Sequence, residues 1–455
     1  MSRGRLDSRY YLAPGIAARD LIIEAADRGD ITIQPLGGSG GLAECWMPTR
    51  LKQVHGASGE DSVPYLRPYD VFEYLPKPAG WLSARRTERI DDYRVPPNSL
   101  LQTRSGRNLG PLAVSDSYLA RYALSDDMIR IQIDDEPERA YVYAFLSSSA
   151  GQSILRQRMS GSVVDHLTVD DVQQMSVPIL GETCVREISA KSAQGLRLME
   201  EARLELDAAM ADIRRRFPSV DSRGTKCEGW VASSRSLAGG NRLDAHYHDP
   251  AVSAAREQMQ EAGGGPVGDV ATAFLPARYK RYYVGPEYGR PILSGRQLLQ
   301  MEPVNLRYIS DRSFKNPDVM ALLEGMVAFG AVGRWEGRLG EPALITAGRH
   351  GWLASNDVMR LTPHKDIDPG WLWLAMACEP VQRQVAALPY GSVIDHTGPD
   401  DIEHQVWLPP VDAELGARAR RAWDAFDEAY ELRSQAAEMI ESLLGPVDSA
   451  SVESV

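Results

Sequence analysis

A chain of 455 residues, 43% apolar and 25% charged, is long enough for two or three domains with cores of their own, and no apolar run approaches the ~20 residues that span a bilayer. The formal charge of −12 argues against a protein that is basic all over and leaves local patches, for which seven lysines against forty-three arginines supply mostly planar guanidinium forks. The N-terminus has no apolar leader, and Cys45, Cys184, Cys227 and Cys378 form no CxxC pair, so a cytoplasmic chain with reduced thiols, no zinc and no disulfide is expected.

In chain order the first feature is Arg5-Leu6-Asp7-Ser8-Arg9-Tyr10, in which Tyr10 reads as a core residue rather than a base-stacking one. Ile31-Thr32-Ile33 has the pattern of a strand and is followed by Gly37-Gly38-Ser39-Gly40-Gly41. That cluster lacks the spacing and partner acid of a dinucleotide fingerprint, which leaves a loop. Arg104-Ser105-Gly106-Arg107-Asn108-Leu109-Gly110 is a Gly/Arg segment after an apolar stretch. An apolar helical pattern then runs from Tyr141 to Met159, ahead of Gly161-Ser162-Val163-Val164-Asp165-His166, the acidic pair Asp170-Asp171 and a strand-like run ending at Pro178.

The same series returns. Arg242-Leu243-Asp244-Ala245-His246-Tyr247 repeats the opening 237 residues on, and Gly391-Ser392-Val393-Ile394-Asp395-His396 repeats the turn 230 residues on. Between them, Leu66 to Ser83 can be laid against Leu293 to Ser310, with Trp81-Leu82-Ser83 meeting Tyr308-Ile309-Ser310. Gly333-Arg334-Trp335-Glu336-Gly337-Arg338-Leu339-Gly340 is the second Gly/Arg segment, Trp371 to Leu388 the second helical pattern, Asp400-Asp401 the second acidic pair and Pro409 the second closing proline.

A strongly helical stretch follows each closing proline. In the second, Leu415, Ala419, Ala422, Phe426, Ala429, Ala436, Ile440 and Leu443 alternate in steps of four and three, interrupted by Arg433. In the first, Val185, Ile188, Met199, Ala202, Leu206, Ala209 and Ile213 keep the same heptad, with Ser192 and Gly195 as its weak points. A narrow stripe of this kind calls for one facing helix. The fold expected is α/β (α+β): two tandem similar domains, 1–181 and 241–411, each followed by a long helix, 182–217 and 412–447, the two helices pairing as an antiparallel coiled coil. A Ser/Gly-rich linker, 218–240, joins the halves, and a short tail, 448–455, ends the chain.

The duplicated Arg-Leu-Asp-x-x-Tyr opening, the Gly-Ser-Val-x-Asp-His turn, the closing Val-Pro or Leu-Pro and the helix after it resemble the DNA specificity (S) subunits of type I restriction-modification systems. The resemblance covers nearly the whole chain. It implies that each domain is a target-recognition domain reading one half of a bipartite site in double-stranded DNA. It also implies two DNA adenine methyltransferase (modification) subunits as partners, together with an ATP-dependent restriction subunit. The alternative is a stand-alone duplicated DNA-binding protein of defence or regulation, without a methyltransferase partner.

A search for catalysis fits a non-enzymatic role with no cofactor. No Gly-x4-Gly-Lys-Ser/Thr loop occurs, Pro96-Pro97 is followed by Asn98 rather than an aromatic residue, and no lysine has Asp or Glu two positions before it. His166 and His396 each follow an aspartate without a nucleophile in the motif; a role in the turn is favoured, with DNA contact second. Tyr247, like Tyr10, reads as packing. Phosphates and base edges are reached by loop donors. On that ground the DNA-contact candidates are Arg104, Arg107, Arg334, Arg338, Lys280 and Arg281, then Arg85, Arg86 and Lys315, each of which could equally be a solvated surface side chain.

Overall fold

A computed structural model describes residues 14–50, 52–59, 61–105, 109–160, 165–220, 231, 234, 237, 242–333, 338–391 and 395–445. The Arg5–Tyr10 opening, Arg107, Arg334, Gly161–Val164, Ser392–Ile394 and the tail 448–455 lie outside these residues, as does most of the linker. The chain forms two compact units, one of 1–201 with 428–455 and one of 202–427.

In the first unit, Glu44–Trp46, Met128–Gln132, Leu100–Thr103 and Ala113–Val114 form a four-stranded antiparallel sheet in that order. The middle strands hold Leu100, Ile129 and Ile131 in a core shared with the buried helices Glu136–Ser147 and Ser149–Arg158. A second sheet has the order His55–Gly56, Gly80–Ser83, Ser62–Leu66, Ala123–Leu124, and its last pair is parallel. Thr32–Pro35 pairs with Ser176–Ile179, which brings the start and end of the domain together. Between Thr32–Pro35 and Glu44–Trp46, the glycine cluster makes a tight turn with Gly38 and Gly40 at φ of 82° and 76°.

The second unit repeats this order. Ala271–Phe274, Val358–Pro363, Val327–Gly330 and Pro342–Leu344 form its first sheet; Tyr283–Val284, Arg307–Ile309, Arg290–Leu293 and Leu353–Ala354 form its second, again with a parallel last pair. Gly265–Pro266 pairs with Trp407–Leu408. Pro64 lies opposite Trp81 in one unit and Pro291 opposite Tyr308 in the other, the alignment drawn from sequence.

Two expectations are corrected. Each long apolar pattern is two helices: the first breaks at Ser148, whose hydroxyl accepts the Gly151 N–H at 3.1 Å, and the second at Cys378 ahead of Glu379–Ala387. Gly151 is required there, since a Cβ would lie 2.1 Å from Phe145 O. The seam of the last helix ends on Leu444, 5% exposed, while Leu443 is 48% exposed.

The long helices are α1 (Glu182–Arg216) and α2 (Ala413–Leu444). In the first unit Lys191 Nζ donates to Gln435 Oε1 at 2.8 Å, and Gly195 lies against Ala429 and Arg433. In the second, Arg418 reaches both Glu205 and Asp212, and Arg216 pairs with Asp412. Within each unit the partner's number falls as the residue number rises. The two seam irregularities thus meet: Gly195 makes room for Arg433, whose Nη1 donates to Tyr143 Oη at 2.6 Å and Nε to Ala429 O at 3.1 Å. No helix among the described residues is long and apolar enough to cross a membrane.

Candidate nucleic-acid interface

The basic candidates fall on two loop groups in each unit. The first borders the second sheet. In the first unit the segment before His55–Gly56 carries Arg50 and Gln53, and the turn after Gly80–Ser83 carries Arg85 and Arg86. Ser83 N–H donates to Val54 O at 2.8 Å and Val54 N–H to Thr87 Oγ1 at 3.2 Å, which ties the two loops together. In the second unit Ser310 N–H donates to Tyr282 O and Tyr282 N–H to Ser313 Oγ, both at 2.9 Å. This sets Lys280 and Arg281 beside the loop of Lys315.

Their surroundings differ. Arg85 is exposed and pairs with Asp61 at 3.0 Å; Arg86, Lys280 and Lys315 are exposed as well. Lys280 Nζ stands 4.9 Å from the centre of the Tyr282 ring, and Arg307 lies 4.4 Å from that of Tyr283. Tyr282, Tyr283 and Tyr288 are exposed, so this edge offers cations and aromatic faces together. Arg281 turns inward, donating to Asn356 Oδ1 at 2.6 Å and Ser355 Oγ at 3.0 Å.

The second group lies at the end of the first sheet. Arg104 follows Leu100–Thr103, with Nη1 3.1 Å from Met47 Sδ and Nε 3.9 Å from Asp127 Oδ1. Arg338, at φ 64°, spends its fork on Glu341, Nε to Oε2 at 2.5 Å and Nη2 to Oε1 at 2.9 Å. Tyr247 is half-buried: its hydroxyl donates to Gln405 Oε1 at 2.7 Å and Arg242 covers its ring at 4.4 Å.

Between the two groups of the first unit lies an open cleft of about 530 Å³, with Ser125-Asp126-Asp127 as its floor and Arg50, Gln53, Ser105 and His166 among its walls. The floor is a turn in which Asp127 N–H donates to Ser125 Oγ at 3.1 Å and Ser125 N–H to Leu66 O at 3.1 Å. Ser355-Asn356-Asp357 forms the same turn in the second unit, with distances of 3.3 and 2.8 Å. His166 is bridged to Ser105, and His396 pairs with Val332 in a short ladder. The chain thus has one histidine beside each turn.

A buried arginine follows each turn, and neither was singled out from sequence. Arg130 and Arg360 are 0% and 1% exposed, and burial lowers each to about 10, so both stay protonated at neutral pH. Arg360 donates to Val358 O, Met320 O and Ala354 O at 3.0, 3.1 and 3.0 Å. Arg130 reaches Tyr93 O and Leu124 O at only 3.4 and 3.5 Å, and its Nε and Nη1 have no partner. Each arginine joins the first sheet to the carbonyls at the end of the second. The signal was present: Ser125-x-Asp127-x-x-Arg130 recurs as Ser355-x-Asp357-x-x-Arg360, 230 residues on, the displacement of the Gly-Ser-Val turn.

For other chemistry the site offers little. Burial pushes the Cys45 and Cys378 thiols up to about 12, which leaves them unreactive at neutral pH. Among the described residues no group of three or more His, Cys, Asp or Glu could hold a metal ion.

Among solved structures, the chain is similar to the S subunit of a type I restriction-modification system from M. genitalium, at 11% identity over 91% of this chain and 95% of that one, with a TM-score of 0.32. It is similar to the HsdS subunit from Thermoanaerobacter tengcongensis at 10% identity, over 90% and 99% of the two chains, TM-score 0.26. A structure concerned with complex assembly and conformational transition of the type I R-M system is 12% identical, over 91% and 97%, TM-score 0.26. No family model matches the chain, and no curated protein matches it in sequence.

Proposed function

We propose that this chain is the DNA-reading, non-catalytic specificity subunit of a type I-like restriction-modification assembly. The observation that carries this is one sheet topology built twice, with different donors and acceptors on the same loops. A repeated scaffold with unlike loops is what reading two different half-sites requires, because backbone contacts position a protein and base-edge contacts specify sequence. Each unit reads one half of a bipartite target: Arg85, Arg86, Arg104 and Arg107 serve the first half, and Lys280, Arg281, Lys315, Arg334 and Arg338 the second. α1 and α2 pair as an antiparallel coiled coil whose length sets the unread gap between the half-sites. Adenine methyltransferase subunits, two per chain, and a restriction subunit supply the chemistry.

The test is mapping of methylated sites after co-expression with the modification subunit encoded beside it. Methylation at a split motif is expected only when both proteins are present. Turnover by the purified chain alone, abolished by a point substitution in it, would overturn the reading. Deleting one heptad from both helices removes about 10 Å, or roughly three base pairs, and should shorten the gap without changing the bases at either end.

A further inference from the structure

We infer that His166 is a specificity-determining residue of the first unit, held by Ser105 and Asp127 as a hydrogen-bond acceptor for the exocyclic amino group of a base; this rests on the reading of the chain as a DNA reader. The inference comes from counting protons. Ser105 Oγ lies 2.7 Å from Asp127 Oδ1 and 2.9 Å from His166 Nδ1. An ionised carboxylate only accepts, so the single hydroxyl proton of Ser105 goes to Asp127. The oxygen left behind must accept from the imidazole, which puts the ring proton on Nδ1. In the neutral ring Nε2 then carries the lone pair.

The same arithmetic removes a competing reading. Serine, histidine and aspartate in contact suggest a nucleophile, but here serine lies in the middle and gives its proton to the acid. Nothing draws that proton towards the imidazole, so the hydroxyl is not activated.

Placement supports a ligand-facing role. His166 lines the cleft beside Gln53 and the Ser125–Asp127 turn, and no partner of its Nε2 is found among the described residues. In a major groove a fixed lone pair accepts from adenine N6 or cytosine N4 and is repelled by guanine O6 or thymine O4. His166 therefore sorts amino-bearing from keto-bearing bases at one position. The second unit lacks the device: His396 lies opposite Val332, which has no hydroxyl, and its acidic turn is occupied by Arg281.

The experiment is selection from a randomised double-stranded DNA pool by the full-length chain, with the wild type, His166→Ala, His166→Gln and Ser105→Ala in parallel and a thermal melt of each. The wild type should enrich a two-part motif. His166→Ala should lose a preference of roughly tenfold at one position of one half, leaving the other half unchanged. Ser105→Ala, which keeps the imidazole but releases its tautomer, should relax that same position. An identical motif from His166→Ala or His166→Gln chains that melt like the wild type overturns the inference, as does an equal weakening of both halves. A wild-type chain that enriches no motif overturns the DNA reading itself, and this inference with it.

Discussion

The Ser-x-Asp turn exists in both units on the same strand connection, yet its surroundings have opposite character. In the first unit it floors an open cleft and faces Ser105 and His166. In the second, Arg281 reaches in from the preceding loop and takes Ser355 Oγ and Asn356 Oδ1. The position equivalent to Arg281 on the first unit's loop is Gln53, set by the pairing of His55 with Leu82 and of Tyr283 with Ile309. A duplicated scaffold thus keeps its backbone hydrogen bonds and changes the polarity of what it presents, acceptors in one unit and cations in the other. Scaffold and recognition are separable, and substitutions should separate them.

The largest difference should come from the buried arginines. Arg360 makes three well-formed bonds to carbonyls, whereas Arg130 makes two long ones and leaves two nitrogens unpaired. Replacing a poorly satisfied buried charge by an apolar side chain of similar size is often nearly neutral; removing a satisfied one strands its partners. Arg360→Met should cost about 3 kcal/mol, or roughly 6–12 °C in melting temperature for a unit of this size, and Arg130→Met less than about 1 kcal/mol. Calorimetry of the single variants checks this, and equal losses would mean that the bond lengths do not report the energetics.

The helices give the next contrast. In the first unit they pack a glycine against an arginine; in the second, Trp423 lies edge-on to Trp373 with ring centres 5.3 Å apart and stands beside Phe426. A Cβ on Gly195 would sit 2.8 Å from Arg433 Cγ and 2.9 Å from Ala429 O, so Gly195→Val has no room. A loss of about 2 kcal/mol is expected. Gly195→Val combined with Arg433→Ala should recover part of it, because one of the two clashes is then gone.

How far the molecule could be read from sequence follows from the range of each interaction. Seam residues such as Ile188, Leu206 and Ile440 were legible because a heptad stripe is local, and even Gly195 and Arg433 showed as irregularities that the packing later joined. The basic loops were legible as composition. Which of their side chains are engaged was not: Arg338 is held on Glu341 and Arg281 on Asn356, contacts decided by backbone angle and by a partner 75 residues away. Ser105, Asp127 and His166 could not be assembled beforehand, being 22 and 61 residues apart. Arg130 and Arg360 looked like charged interruptions of apolar strands, and only their common displacement marked them.

A charge swap on the recognition loops should act on DNA rather than on stability. Lys280→Gln with Arg281→Gln gives the second unit the residue type found at Gln53. Loss of one or two phosphate contacts should weaken duplex binding roughly tenfold near 0.1 M salt and make the slope of log K against log salt shallower by about one or two. Equilibrium titrations at several salt concentrations measure both. An unchanged slope would assign these side chains to holding the Ser355–Asp357 turn instead.

The smallest effect concerns how the two long helices begin. Gly416 N–H donates to Asp412 O at 2.9 Å and Val185 N–H to Gly181 O at 3.0 Å, so Asp412 and Gly181 occupy matching positions ahead of α2 and α1. Asp412 caps its helix: Oδ1 accepts the Leu415 N–H at 2.9 Å, and this bond, followed by the pairing with Arg216, holds the carboxyl below its ordinary value. Gly181 has no side chain to do so, is exposed, and would place a Cβ in open space. Gly181→Asp should therefore add the missing cap and stabilise by a few tenths of a kcal/mol, since glycine is itself a tolerable cap, or about 1–2 °C. A carboxylate whose folded pKa is depressed contributes stability that is full above its unfolded value, near 3.9, and is lost as pH falls through the folded value. The gain should then be present at pH 7 and vanish towards pH 3, whereas Gly181→Ala, which stiffens the unfolded chain without capping, should give a gain that does not change with pH. Melts of both variants across that range distinguish the two origins, and a Gly181→Asp gain that persists at pH 3 means that no cap formed.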